Sequence, residues 1–183
     1  MPIFNKLLVL DLDGTLIFSN ERKLSRDSDF NVGPYSVYKR PGVDIFLQRC
    51  LDRFEVGIWT SSTEDYAAEV VRHLFKDKAS PAFVWSRLKC TKVYDPELRE
   101  IYSIKNIRKL TKKGYRKEDI IIIDDSRKTF ERNYGNAVLV REYEGQENDQ
   151  ELPKLLSFLE TIGAVEDVRK IEKRDWRDAN RTS

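Results

Sequence analysis

Two short runs of the chain are apolar at every position: Leu7–Leu10, which ends on Asp11, and Ile120–Ile123, which ends on Asp124. Uninterrupted aliphatic runs of this length suit strands covered on both faces, as in a parallel sheet. Glu55–Trp59, ending at Thr60, and Asn136–Val140 read as two further strands. Helical spacing falls between them. Val43–Arg53 follows Pro41-Gly42 and places Val43, Phe46, Leu47, Cys50 and Leu51 on one stripe. Glu64–Phe75 does the same with Tyr66, Ala67, Val70, Val71 and Leu74, and Ser61 with Glu64 has the spacing of a capping box. Ile104–Leu110, closed by Gly114, and Leu152–Ile162, stopped by Gly163, are the remaining helical patterns. Strands alternating with helices predict an α/β sandwich around a mostly parallel sheet.

Two stretches break that alternation. Leu16–Lys39 is polar and turn-rich, with period-two alternation at Tyr35-Ser36-Val37-Tyr38, and predicts a β-hairpin flap. Phe83–Tyr102 predicts a small antiparallel insertion. The charge-dense end from Glu166 predicts a helix around Val168–Trp176 and then a frayed tail.

Composition narrows the class. The 183 residues suit one domain with a sizeable core, and 40% hydrophobic with 35% charged residues excludes disorder, collagen and a disulfide miniprotein. Lys and Arg number 33 against 31 Asp and Glu, and this near-balance argues against an obligate electrostatic binder of nucleic acid. Cys50 and Cys90 are expected to be buried and reduced. No run approaches the roughly 18 apolar residues of a membrane helix. Lys6 before Leu7–Leu10 hints at a signal peptide, but Asp11 and Asp13 interrupt it. The expected compartment is cytosolic, or nuclear in a cell with a nucleus.

The chemistry gathers at strand ends. Asp11-Leu12-Asp13-Gly14-Thr15 follows the first buried strand, where open α/β sheets bind ligands. Paired carboxylates there suit a nucleophile with a general acid/base; the plainer alternative is a polar Asp-Gly turn. Asp124-Asp125-Ser126 repeats the arrangement, with a helix N-cap as its alternative. Four Asp residues in one crevice call for a cation, and all-oxygen ligation suits Mg²⁺. Thr60-Ser61-Ser62 offers hydroxyls where a strand meets a helix N-terminus, a place that favours anions as well as caps. Lys105 falls at the start of a predicted helix, where a cation is disfavoured unless another charge recruits it. The run from Lys105 to Lys117 also holds Arg108, Lys109, Lys112, Lys113 and Arg116, which either steer an acidic partner or simply solvate a helix. His73, the one histidine, has no expected catalytic role, and Trp59 is expected in the core.

In this order, Asp11-Leu12-Asp13-Gly14-Thr15, Thr60, Lys105 and Asp124-Asp125 resemble the four motifs of haloacid-dehalogenase (HAD) superfamily phosphatases. Tyr38 to Leu47, Trp59-Thr60-Ser61-Ser62, Ile121 to Ser126, Asn133-Tyr134, and Asp149-Gln150-Glu151-Leu152 to Phe158-Leu159 sharpen the resemblance to the FCP/SCP-type branch, the NLI-interacting-factor-like or C-terminal-domain phosphatases. The resemblance implies a HAD-like Rossmannoid three-layer sandwich. It implies a catalytic domain over residues 1–163, with a flap at 14–40 and an insertion at 80–102, then a C-terminal helix and charged tail at 164–183. It also implies roles. Asp11 attacks phosphorus to form an aspartyl-phosphate. Asp13 protonates the leaving oxygen and then activates water. Asp11, Asp13 through its backbone carbonyl, Asp124 and Asp125 hold Mg²⁺. Thr60, Ser61 and Lys105 meet the phosphoryl oxygens. Superfamily dehalogenases lack the second Asp, so phosphoryl transfer is preferred. Gly14 departs from the acidic residue more common in the family, and Asp125 from the Asn of some members.

The gaps between motifs leave no room for a large cap, and no additional C-terminal recognition domain is expected. An open crevice implies a phosphoserine or phosphothreonine protein substrate. Phe83, Trp85, Tyr94 and Tyr102 either line a groove for an extended segment or form the insertion's own small core. A small phosphorylated metabolite or a nucleic-acid end is the alternative substrate, and a phosphopeptide-binding module without turnover the remaining reading.

Overall fold

Residues buried on every side cannot face water from either surface of a sheet, and this decides where the two apolar runs go. The structure, a computed structural model, describes residues 2–178. Its elements in chain order are β1 (Leu7–Leu10), β2 (Ile17–Asn20), β3 (Phe30–Val32), β4 (Tyr35–Lys39), α1 (Val43–Arg53), β5 (Glu55–Trp59), α2 (Glu64–Leu74), β6 (Phe83–Trp85), β7 (Thr91–Asp95), β8 (Glu100–Ile104), α3 (Arg108–Thr111), β9 (Ile120–Asp124), β10 (Ala137–Leu139) and α4 (Glu151–Gly163). A single central sheet has the order β10-β9-β1-β5-β6, and every pairing in it is parallel.

Strand geometry sorts the core into two layers, because successive side chains point to opposite faces. Leu8, Leu10, Ile121 and Ile123 pack against α1, α2 and α4 in one hydrophobic cluster. Leu7, Val9, Ile120 and Ile122 pack with Ile107, Leu110 and Phe130 in the other. The result is the expected three-layer α/β sandwich. Register brings the functional ends level: Leu10 lies between Ile58 and Ile123, so Asp11, the β5 end before Thr60, and Asp124 emerge together at the carboxyl edge.

Several expectations are corrected. Phe83–Trp85 is not part of an antiparallel insertion; it is β6, the parallel edge strand beside β5. Gly57 permits this, because a Cβ there would come within 2.3 Å of the Phe83 ring, so the ring lies directly on the β5 backbone. The insertion is the β7–β8 hairpin alone. The flap has three strands in the order β2-β4-β3, one more than a hairpin. Ile104 closes β8 instead of opening a helix, and α3 begins four residues later. At α2 the N-cap is Thr63, with no side-chain cap bond, so Ser61 and Glu64 form no capping box. The C-terminal helix reduces to one 3₁₀ turn at Val168–Lys170, while Trp176 is buried against Phe158. The expected frayed end at 179–183 lies outside the described residues. Cys50 is buried as expected, Cys90 is half-buried, and both thiols are free.

Candidate active site

The site is built at the strand ends. Asp11 follows β1 directly, and its N–H donates to the Ile123 carbonyl at 3.1 Å. Asp124 ends β9, and its Oδ1 accepts the Ser126 N–H at 2.9 Å, an Asx-type bond that orients the carboxylate. Carboxylate oxygens of Asp11, Asp124 and Asp125 lie within 4.8 Å of one another. Gly14 makes room for the third, since a Cβ there would come 2.7 Å from Asp125 Oδ2, and its φ of 76° suits glycine.

Lys105 completes the cluster. Its Nζ donates to Asp11 Oδ1 and to Asp124 Oδ2, both at 2.6 Å. It follows β8, so the recruiting charges foreseen for it are present, but it does not stand at a helix start. Burial opposes its charge, yet Asp11 and Asp124 outweigh burial and raise its pKa. Burial pushes the Asp11 carboxyl up to about 8, with Lys105 pulling down and Asp124 and Asp125 adding to the rise. Burial and Asp124 likewise raise Asp125. Three carboxylates against one ammonium form an all-oxygen set short of positive charge. That donor set fits a hard divalent cation such as Mg²⁺.

Asp13 stands apart. Its carboxylate is outside the cluster, so a metal role for it rests on its backbone carbonyl. Oδ1 accepts from Ser19 Oγ at 2.9 Å and Tyr66 Oη at 2.6 Å, and Oδ2 accepts from Ser62 Oγ at 2.9 Å. The flap, β5's following loop and α2 thus hold one carboxylate between them. Burial and the neighbouring Asp13 raise the Tyr66 pKa, keeping its phenol a proton donor. A cavity of about 310 Å³ opens here, lined by Asp13, Ser19, Tyr35, Ser62, Thr63, Tyr66 and Arg87.

Thr60 is buried at the end of β5, and its Oγ1 accepts the Ser62 N–H at 3.1 Å. Ser61 is exposed and its side chain makes no hydrogen bond among the described residues, so Ser62 is the serine tied into the site. The four aromatic groove candidates do not form one surface. Trp85 is buried, edge-on to Trp59 and tilted on Phe83. In the hairpin register Val93 opposes Tyr102 and Tyr94 opposes Ile101, which puts Tyr94 and Tyr102 on opposite faces. Tyr102 instead donates to Glu131 under Lys128. His73 is half-buried and stacks on Phe30, with no place in the site.

Ser19 and Tyr66 escaped sequence reasoning, since nothing local distinguishes them from a strand serine and a core-facing helical tyrosine. Two further supports stood only inside resembling strings. Arg40 is wholly buried and donates to both Asp149 oxygens at 2.8 Å, to the Thr15 carbonyl at 3.0 Å and to the Arg141 carbonyl at 2.9 Å. Asn133, also buried, donates to the Lys105 carbonyl and accepts the Ile107 N–H at 3.2 Å.

A family model described as NLI interacting factor-like phosphatase matches residues 6–169. Nuclear envelope morphology protein 1 of Schizosaccharomyces pombe is 32% identical over 179 residues, covering 91% of this chain and 35% of that protein. The CTD small phosphatase-like protein 2 of Dictyostelium discoideum is 32% identical over 169 residues, covering 88% of this chain and 28% of that protein. The CTD nuclear envelope phosphatase 1 homolog of Caenorhabditis elegans is 27% identical over 192 residues, covering 97% of this chain and 74% of that protein. The chain therefore spans about a third of the length of the first two of these relatives. Among solved structures, fission yeast RNA polymerase II CTD phosphatase Fcp1 bound to beryllium fluoride superposes with a TM-score of 0.69 at 19% identity, over 87% of this chain and 63% of that one. At that identity the likeness concerns the fold.

Proposed function

Because the chain belongs to the family of NLI interacting factor-like phosphatases, we propose that it is a Mg²⁺-dependent phosphatase of phosphoserine and phosphothreonine in proteins, working through an aspartyl-phosphate on Asp11. The observation that carries this reading is the Asp11–Asp124–Asp125 cluster with Lys105 inside it, beside a separately held Asp13. Asp11, Asp124, Asp125 and the Asp13 carbonyl would hold Mg²⁺, which when bound supplies positive charge against the phosphoryl oxygens.

The chain's own residues supply the rest. An Asp11 carboxylate oxygen forms a bond to phosphorus as the ester P–O bond breaks, and Asp13 gives its proton to the departing serine or threonine oxygen. Asp13 then takes a proton from water as the water oxygen attacks phosphorus. Inorganic phosphate leaves and the Asp11 carboxylate is restored. The hydroxyls of Ser19 and Ser62 both donate and accept, so they can follow Asp13 through either protonation state. Thr60, Ser61 and Lys105 meet the phosphoryl oxygens, and the ammonium of Lys105 balances charge there throughout. The cavity beside Asp13 opens between the flap and α2 with no large cap among the described residues, which favours a phosphate carried on a peptide over an enclosed metabolite.

Two relatives carry nuclear-envelope names. A cytosolic or nuclear place belongs to the reading, and no helix among the described residues is long and apolar enough to cross a membrane. No stable nucleic-acid partner is part of it.

The test is phosphate release from matched panels of phosphopeptides and phosphorylated metabolites, with Mg²⁺ present or chelated. The expected result is higher kcat/KM on the peptides, dependence on the metal, and loss of turnover with retained fold in Asp11→Asn. A metabolite preferred by kcat/KM overturns the substrate class. Undiminished turnover in Asp11→Asn overturns the nucleophile.

A further inference from the structure

The basic run that follows Lys105 is unevenly committed. Lys109 donates to the Lys89 and Cys90 carbonyls at 2.7 and 3.3 Å, Lys113 lies 5.5 Å over the Trp85 ring, and Arg116 faces Glu118 and Asp119 at 3.8 and 3.5 Å. Arg108 and Lys117 have no carboxylate within ion-pair distance among the described residues. Neither has Arg132, from the segment beyond Asp125. These three converge on one cavity of about 260 Å³, completed by Asn106, Ile107 and Asn133, and no acidic residue lines it. It shares no lining residue with the cavity beside Asp13.

Three like charges around one cavity repel each other until an anion enters. The polar groups present are donors. Asn106 Oδ1 already accepts the Arg108 N–H at 3.1 Å, which leaves its amide NH₂ to give. Ile107 N–H is taken by Asn133 Oδ1. Two guanidinium forks with an ammonium match the charge and the several oxygens of a phosphate dianion better than a single carboxylate. We propose that this cavity is a second, non-catalytic binding site for a phosphate group, either free phosphate or a phosphate on another residue of the substrate.

The site is joined to the catalytic one. Asn133, 4% exposed, donates to the Lys105 carbonyl, and the Lys105 N–H donates to the Thr129 carbonyl at 2.6 Å. The cavity wall therefore supports the backbone that carries Lys105.

Amide and arginine side-chain NMR resonances of the whole chain, titrated with inorganic phosphate at constant ionic strength, test this without any need for turnover. Saturable shifts are expected at Asn106, Arg108 and Arg132. The exposed pair Arg108→Gln with Arg132→Gln should weaken them at least tenfold and leave shifts in the Asp11–Gly14 loop in place. Absence of saturable shifts at these residues, or shifts undiminished in the double variant, overturns the proposal. A peptide bearing two phosphoserines that saturates the shifts at lower concentration than phosphate identifies the substrate as the source. Saturation only at equal or higher concentration identifies free phosphate. Because the readout is binding, an enzyme inactive on every phosphoester leaves this result standing on its own.

Discussion

Asp13 shows what single residues contribute. Its carboxylate is gripped by three hydroxyls from three different elements, which restrict it to one orientation. A hydrogen bond to a charged group contributes about 1.5–3 kcal/mol. Tyr66→Phe removes the shortest of the three while keeping the ring that Tyr35 packs against edge-on. The expected outcome in steady-state kinetics is a fall in kcat of about tenfold or more with KM little changed, since each 1.4 kcal/mol of barrier is a factor of ten. An unchanged kcat would remove Tyr66 from the positioning of Asp13. The Asp pairs were legible because they follow unbroken apolar runs. The hydroxyls were not, because a strand serine and a helix tyrosine look alike whether or not a carboxylate lies opposite.

Between elements, the buried Arg40 ties the end of the flap to the loop after β1 and to the segment before α4. Burial opposes ionisation of Asp149, but hydrogen bonds from Arg40 and the Glu151 N–H outweigh it and hold its pKa below the usual value. A depressed folded pKa adds stability above the unfolded value and loses it as pH falls through the folded one. Asp149→Asn leaves Arg40 buried without its counter-charge. The expected cost in urea unfolding at neutral pH is about 3 kcal/mol, the low end for breaking a buried pair, because Asp149 keeps 16% side-chain exposure. The gap between wild type and variant should begin to narrow below about pH 4, where the carboxylate of the unfolded chain takes up its proton, and narrow further as pH falls through the lower folded value. A constant gap down to pH 2 would refute the linkage. The strands and long helices here followed from hydrophobic period. The β6 placement did not, because three apolar residues pair equally well in a hairpin or at a sheet edge. The contact of Phe83 on Gly57, decided by packing, made the choice.

Across the molecule, near-neutral charge conceals segregation: an acidic crevice at the strand ends and an unpaired basic cavity behind Lys105. A cation that binds the folded crevice and not the unfolded chain raises stability with its concentration. Thermal unfolding should therefore show a Tm that climbs with Mg²⁺ and returns with a chelator. Asp125→Asn should flatten the climb, since it removes one of three carboxylates. A wild-type Tm indifferent to millimolar Mg²⁺ would deny the crevice its metal.

By itself the sequence determined the layered α/β fold, the parallel sheet and the strand ends where carboxylates must gather, because hydrophobic period and strand-terminal position are local properties. Only the tertiary structure decided which side chains meet there. Lys105 reaches Asp11 and Asp124, Tyr66 reaches Asp13, and the basic run divides into paired and unpaired members through contacts between residues distant along the chain. Such contacts depend on register, burial and the direction each element leaves the sheet, and no local pattern encodes them.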